Sequence, residues 1–129
     1  MLLFKTYIKE SAIPNAGMGC FAAEFIPKGA KLWEFNPQID RLITPEQFAT
    51  FTQLEKDFLS MYCYMQRGDY YLCVDNGRFF NHSETPNTWE SPSEQATFAA
   101  VDIQPGEEIT SDYAKFGDTP DDMHFNLTL

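Results

Sequence analysis

Three short stretches hold the side chains best able to do chemistry: Gly17-Met18-Gly19 after Pro14-Asn15, Asn81-His82-Ser83 in "RFFNHSETPN", and Glu107-Glu108 with Asp112-Tyr113 in "GEEITSDY". His82 beside Ser83 suggests a base and a nucleophile. A hydrolase, however, needs the base within reach of the serine and a third group orienting it. Neighbours in a strand or turn point apart, no Gly-x-Ser-x-Gly elbow exists, and the other histidine, His124, lies near the C-terminus. Two histidines so far apart do not make a metal cluster either. Asn81-His82-Ser83 and Asn126-Leu127-Thr128 read as glycan acceptors only in a secreted protein. The three cysteines, Cys20, Cys63 and Cys73, are widely spaced and odd in number. That spacing predicts neither a zinc site nor a disulfide framework, and it points to a reducing cytoplasm. The Gly-x-Gly turn allows close backbone approach, with amides free for a small anionic group such as a carboxylate. A hairpin turn explains it equally well. It is not a dinucleotide fingerprint, because no third glycine or helix pattern follows.

The elements that must position these residues are mostly short strands. Residues 2–8, 30–35, 70–75, 96–101 and 107–110 are β-branched or aromatic runs bounded by turn residues. Ile26-Pro27-Lys28-Gly29 and Ile103-Gln104-Pro105-Gly106 share one turn design, with Pro fixing φ and Gly accepting a positive φ. One helical region is predicted over 44–62. Thr44-Pro45-Glu46-Gln47 and Thr52-Gln53-Leu54-Glu55 both read as capping boxes, so the helix is expected to break and restart near residue 51. Leu54, Phe58, Met61 and Tyr62 fall at helical spacing and are expected in the core. A polar tail follows residue 115.

At 129 residues the chain is one domain, and 43% hydrophobic with 16% aromatic residues rules out disorder. No run reaches the ~20 apolar residues of a membrane span, and "MLLFKTYIKE" lacks the shape of a signal peptide. Charge is uneven. Residues 1–78 carry nine acids and eight bases, and residues 79–129 carry ten acids and one base, Lys115. Such a surface repels phosphate backbones, so no direct nucleic-acid binding is expected; it attracts a cationic partner such as a lysine-rich peptide, or serves only solubility.

In this order and spacing, "GMGCFA", "NHSETPN" and "GEEITSDY" resemble the SET-domain protein lysine methyltransferases, over about residues 3–116. Asp75 also stands where that family carries an aspartate ahead of Asn-His-Ser. The resemblance implies a mainly β fold (β-clip or SET type, several short sheets) with a short helical insertion. It also implies a pseudoknot near the C-terminus that brings 78–87 beside 107–113. It implies a domain over 1–116, with 117–129 as a tail that could cover the active site. S-adenosyl-L-methionine is the implied cofactor. Ala16, Met18 and Gly19 would lie along its methionine part, and Asn81 and His82 would hold its amino and adenine groups. Tyr113 would be the catalytic tyrosine beside the transferred methyl. The substrate would be a lysine of a basic protein or peptide.

Several positions depart from the family pattern. Phe35-Asn36-Pro37 stands where Tyr-x-Gly is usual, which removes a hydroxyl from the lysine channel. Ser111 stands two before Tyr113, where a Phe or Tyr is common, implying a roomier pocket unless Trp89 or another bulky side chain fills it. Glu84 replaces a common cysteine, and no cysteine-rich segment follows Tyr113. Closure of the channel is then expected from the tail, through Phe116 or Phe125, or from a second subunit in a homodimer. The alternatives are a SET-fold protein-binding module with little activity, and a methyltransferase acting on a non-protein amine.

Overall fold

The computed structural model describes residues 1–113. Its strands in chain order are β1 (Thr6–Glu10), β2 (Met18–Ala22), β3 (Lys31–Glu34), β4 (Arg41–Ile43), β5 (Cys63–Gln66), β6 (Asp69–Leu72), β7 (Asn81–His82), β8 (Thr88–Ser91), β9 (Ala96–Ala99) and β10 (Thr110–Ser111). They form four small sheets: β1-β2, β3-β9-β8, β4-β6-β5, and the pair β7-β10. The first three sheets are antiparallel throughout, whereas β7 and β10 run parallel. A mainly β fold of several short sheets is therefore what the chain adopts.

Each predicted run contains strand or bridge residues, with shifted ends. In the first run, β1 starts only at Thr6, and Leu2 makes an isolated bridge to Trp33. In the last, Glu108 bridges Phe21 before β10 begins. The two similar turns lie against each other: Ile26 N donates to Ile103 O at 2.9 Å, and Ile103 N returns a bond to Ile26 O at 2.8 Å. Gly29 (φ 87°) and Gly106 (φ 91°) take the positive φ that these turns require. Both isoleucines are fully buried, in a core shared with Cys20, Ala22, Leu32 and Ile109.

The helical region does break near residue 51. α1 (Pro45–Ala49) and α2 (Gln53–Tyr62) each begin with a complete capping box, on Thr44 and Thr52 respectively. The expected core stripe is corrected by the structure. Leu54 is 79% exposed, Phe58 46% and Met61 38%, while the residue of α2 that is buried is Leu59, packed with Ile43 and Cys63. Leu54 and Phe58 border an open groove with Arg41, Ile43, Phe51 and Leu72, and Tyr62 lies under the Arg78 guanidinium at 4.1 Å. Helical spacing shows which residues share a face; it does not show whether another element covers that face.

Candidate active site

The site is built where two asparagines grip β10. In the parallel pair, Asn81 stands opposite Thr110 and His82 opposite Ser111, and Ser83 N donates to Ser111 O at 2.9 Å. Asn87 completes the grip: its Nδ2 donates to Glu108 O at 2.8 Å, and its Oδ1 accepts from Thr110 N at 2.9 Å. One amide side chain thus imitates a strand neighbour. Ser83 Oγ accepts from Thr85 N at 3.0 Å, which shapes the turn between the two asparagines.

The Gly-x-Gly segment joins the same junction. Asn81 Nδ2 donates to Met18 O at 3.1 Å and to Glu108 Oε2 at 2.8 Å. Ser11 Oγ donates to the other carboxylate oxygen of Glu108 at 2.7 Å. Gly17 has φ 75°. Gly19 is glycine for a different reason: a Cβ there would stand 2.5 Å from Glu108 Oε2 and 2.9 Å from its Cδ. Ala16 is partly buried, Gly17 and Met18 are exposed and Gly19 is buried, so the segment runs from an open surface into the junction.

On the far side of β7 lies a small cavity lined by Trp33, Tyr64, Cys73, Gly77, Phe80, Thr97, Ser111 and Tyr113. Tyr113 is held there by two residues of the motif. Its hydroxyl donates to Phe80 O, its backbone N–H donates to His82 Nδ1 at 3.0 Å, and its ring lies 5.3 Å from the imidazole. An imidazole Nδ1 that accepts is unprotonated, so His82 carries its proton on Nε2. The Trp33 indole N–H is buried and has no hydrogen-bond partner among the described residues. Burial pushes the Cys20 and Cys63 thiols up to about 12 and drives Cys73, in the cavity wall, upward as well. None of these is a thiolate nucleophile at neutral pH.

The predicted site residues therefore fall into two groups. Gly19, Asn81, His82, Ser111 and Tyr113 meet at one junction, with Met18 reached through its carbonyl. Phe35 and Trp89 lie outside the cavity lining. Phe35 packs edge-on against Tyr71 at 5.3 Å, and Trp89, 49% exposed, stacks on Phe98 at 4.6 Å. Phe116, Phe125 and the tail lie outside the described residues. The space beside Ser111 is approached by Glu90, whose Oε1 accepts from Ser111 Oγ at 3.4 Å and whose Oε2 accepts from Thr97 Oγ1 at 2.6 Å. Trp33, Tyr64 and Glu90 are additions to the sequence reading. Trp33 and its neighbour Leu32 are both buried in β3, where the pairing with β9 shifts register, so strand alternation did not single Trp33 out. Glu90, a lone carboxylate in a strand, carried no signal.

Among the described residues there is no group of three or more metal-binding side chains, and no helix long and apolar enough to cross a membrane. Fold and site together define a multi-sheet β protein with a buried tyrosine at a parallel strand junction, between an open glycine-containing surface and an aromatic cavity. A sequence profile of the SET domain matches residues 17–114, and the chain belongs to the SET-domain family. Family members are in general S-adenosylmethionine-dependent protein lysine methyltransferases. The fold is similar to that of a Plasmodium falciparum protein assigned as a histone methyltransferase: TM-score 0.60 at 22% identity, covering 87% of this chain and 95% of that one. An active polycomb repressive complex 2 in the basal state gives TM-score 0.67 at 20% identity over 90% of this chain. An autoinhibited form of that complex from Chaetomium thermophilum, bound to S-adenosylmethionine, gives 0.66 at 20% identity over 91%. The present chain spans only 16% of each of those two polycomb chains. Among curated protein sequences none matches.

Proposed function

We propose that this protein transfers a methyl group from S-adenosylmethionine to the side-chain amine of a lysine in a protein or peptide. The observation that carries the reading is the division of labour between two adjacent residues. Phe80 lines the aromatic cavity, while the next residue, Asn81, holds the Gly17–Gly19 segment on the other side of the strand. Donor and acceptor sites separated by one strand, with Tyr113 bonded to the Phe80 carbonyl, suit a transfer between two separately bound molecules.

The residues fit the cofactor. Met18 stands at an open surface with Ala16 partly exposed beside it, and buried Gly19 next to them is crowded too closely for a side chain. Both protons of the Asn81 amide are used within the protein. Asn81 and His82 of the same junction would hold the cofactor's amino and adenine groups. When bound, the cofactor supplies an electrophilic methyl on a cationic sulfur.

The chain's own residues align and select the amine. Holding it in line with the methyl carbon can supply ~7–11 kcal/mol of the barrier. Aromatic walls from Trp33, Tyr64, Phe80 and Tyr113 tolerate a cationic amine and its methylated products. The apolar lining also disfavours the ammonium relative to the neutral amine, the form with a free lone pair. The Tyr113 hydroxyl, fixed by Phe80 O, orients that amine. A basic substrate suits the acidic chain, and the three free, buried cysteines suit a reducing intracellular compartment. Titration calorimetry with S-adenosylmethionine tests the cofactor assignment. Saturable heat is expected from the wild type, reduced in Gly19→Ala; no heat and no thermal shift at millimolar cofactor would overturn it.

A further inference from the structure

One cross-strand row leads from the cavity towards solvent. Trp33 pairs with Thr97, and Thr97 with Glu90, across β3-β9-β8. Directly opposed residues share a face, so these three side chains project together. Trp33 and Thr97 line the cavity, as does Ser111 from β10. The Glu90 carboxylate lies just behind them, bonded to the hydroxyls of Thr97 (2.6 Å) and Ser111 (3.4 Å). On its other side Glu90 borders a separate pocket with Pro86, Thr88, Trp89 and Asp112. A carboxylate thus stands between the cavity and a second opening, reached from inside through a hydroxyl.

We propose that Glu90 accepts, through the Ser111 hydroxyl, the proton that a substrate amine must lose before methylation, and passes it to water in the pocket shared with Asp112. The proposal rests on the methyltransferase reading. A lysine of ordinary pKa ~10.4 arrives as the ammonium, which has no lone pair to attack with. In the step, an ammonium N–H bond breaks as the proton joins Ser111 Oγ, and the Ser111 O–H bond breaks as its proton joins Glu90 Oε1. The amine keeps the electron pair, the serine is regenerated and Glu90 becomes the neutral acid. It recovers its charge by losing the proton to water. Among the described residues the serine has one competing acceptor, Thr88 Oγ1 at 3.3 Å, whose own proton goes to Thr110 O. A neutral phenol is too weak a base to serve, so Tyr113 orients the amine and does not deprotonate it.

The surroundings suit the role. Burial pushes the Glu90 carboxyl up to about 7, against the bonds from Thr97 and Ser111, which lower it. That poises it near neutrality, where a proton acceptor is most useful. The titratable groups facing it are Tyr64 of β5, which feels its charge, and Asp112, which borders the outer pocket. Lys31 of β3 lies over Phe98 on the other face of the sheet.

The test is the pH profile of methyl transfer from labelled S-adenosylmethionine to a decalysine peptide. Wild-type kcat should rise through pH about 7. Glu90→Gln should lose roughly 10²-fold at pH 7 and recover above pH ~10, where the amine deprotonates unaided. Cofactor affinity should be unchanged. Ser111→Ala should share this loss and Ser111→Thr, which keeps a hydroxyl, should restore much of it. A profile for Glu90→Gln parallel to that of wild type overturns the relay alone; a wild type that transfers no methyl overturns the methyltransferase reading with it. Carbon-13 carboxyl NMR of the wild type requires no variant to fold. Glu90 should titrate near neutrality, with a lower midpoint once N-acetyl-lysine methylamide is added. Titration in the ordinary range near ~4, unmoved by the probe, would overturn the proposal.

Discussion

Asn81 uses both amide protons inside the protein, one on Met18 O and one on Glu108, and so turns a sequence motif into a joint between three segments. Gly19, pressed against the same carboxylate, and His82, accepting from Tyr113 N, complete the joint. Asn81, His82 and Tyr113 were legible as motif residues. What their side chains do was not, because a hydrogen bond between residues 18 and 81 leaves no local pattern. Glu90 was not legible at all: a single acid in "TWES" reads as a solvated position until Thr97 and Ser111 are known to lie beside it. Its carboxyl makes a stability prediction. With a folded value raised to about 7 from the ordinary 4.5, the native state holds a proton that the unfolded state releases between those values. Stability contributed by this group is therefore full below pH ~4.5 and falls as pH rises to ~7. Denaturant midpoints measured across that window should decline more steeply in wild type than in Glu90→Gln. Identical slopes would show that the carboxyl is not desolvated.

At the scale of elements, the parallel pair β7-β10 is only two residues long and owes its register to the Asn87 clamp on Glu108 and Thr110. Replacing Asn87 by Ala leaves Thr110 N and Glu108 O without that partner, a loss of about 1–3 kcal/mol. Amide exchange at Thr110 should quicken markedly in this variant, and exchange as slow as wild type would mean that β10 is held by packing alone. Capping boxes and Pro-Gly turns were legible because they are local chemistry, and both helix starts fell where Thr44 and Thr52 place them. Strands β2, β4, β5 and β8 lay outside the predicted runs. Their pairing with distant strands, and not their own composition, makes them strands. The α2 stripe misled for the converse reason: its period is right, yet nothing among the described residues covers most of it.

For the whole molecule, the acidic excess of the C-terminal part has a double use. Glu107 accepts from Gln104 N, Glu108 from Ser11 and Asn81, and Asp102 from Lys28 N, so several acids hold turns together. Their charge still contributes to the long-range field of a chain with net charge −10. kcat/KM for a lysine-rich peptide should therefore fall as salt rises towards 0.15 M, where the Debye length shrinks to ~8 Å. A value independent of salt would leave the acidity with structural and solubility roles only.

Tyr113, at the junction of cavity and glycine segment, is proposed to serve methyl transfer to lysine. The most direct test is mass spectrometry of cell extract incubated with the protein and S-adenosylmethionine deuterated in the methyl. Deuterated methyl on lysine is expected with the wild type. Tyr113→Phe should bind the cofactor equally well and turn over roughly 10²–10³-fold more slowly. Undiminished transfer by Tyr113→Phe, or cofactor bound by the wild type with no labelled lysine formed, would contradict this role.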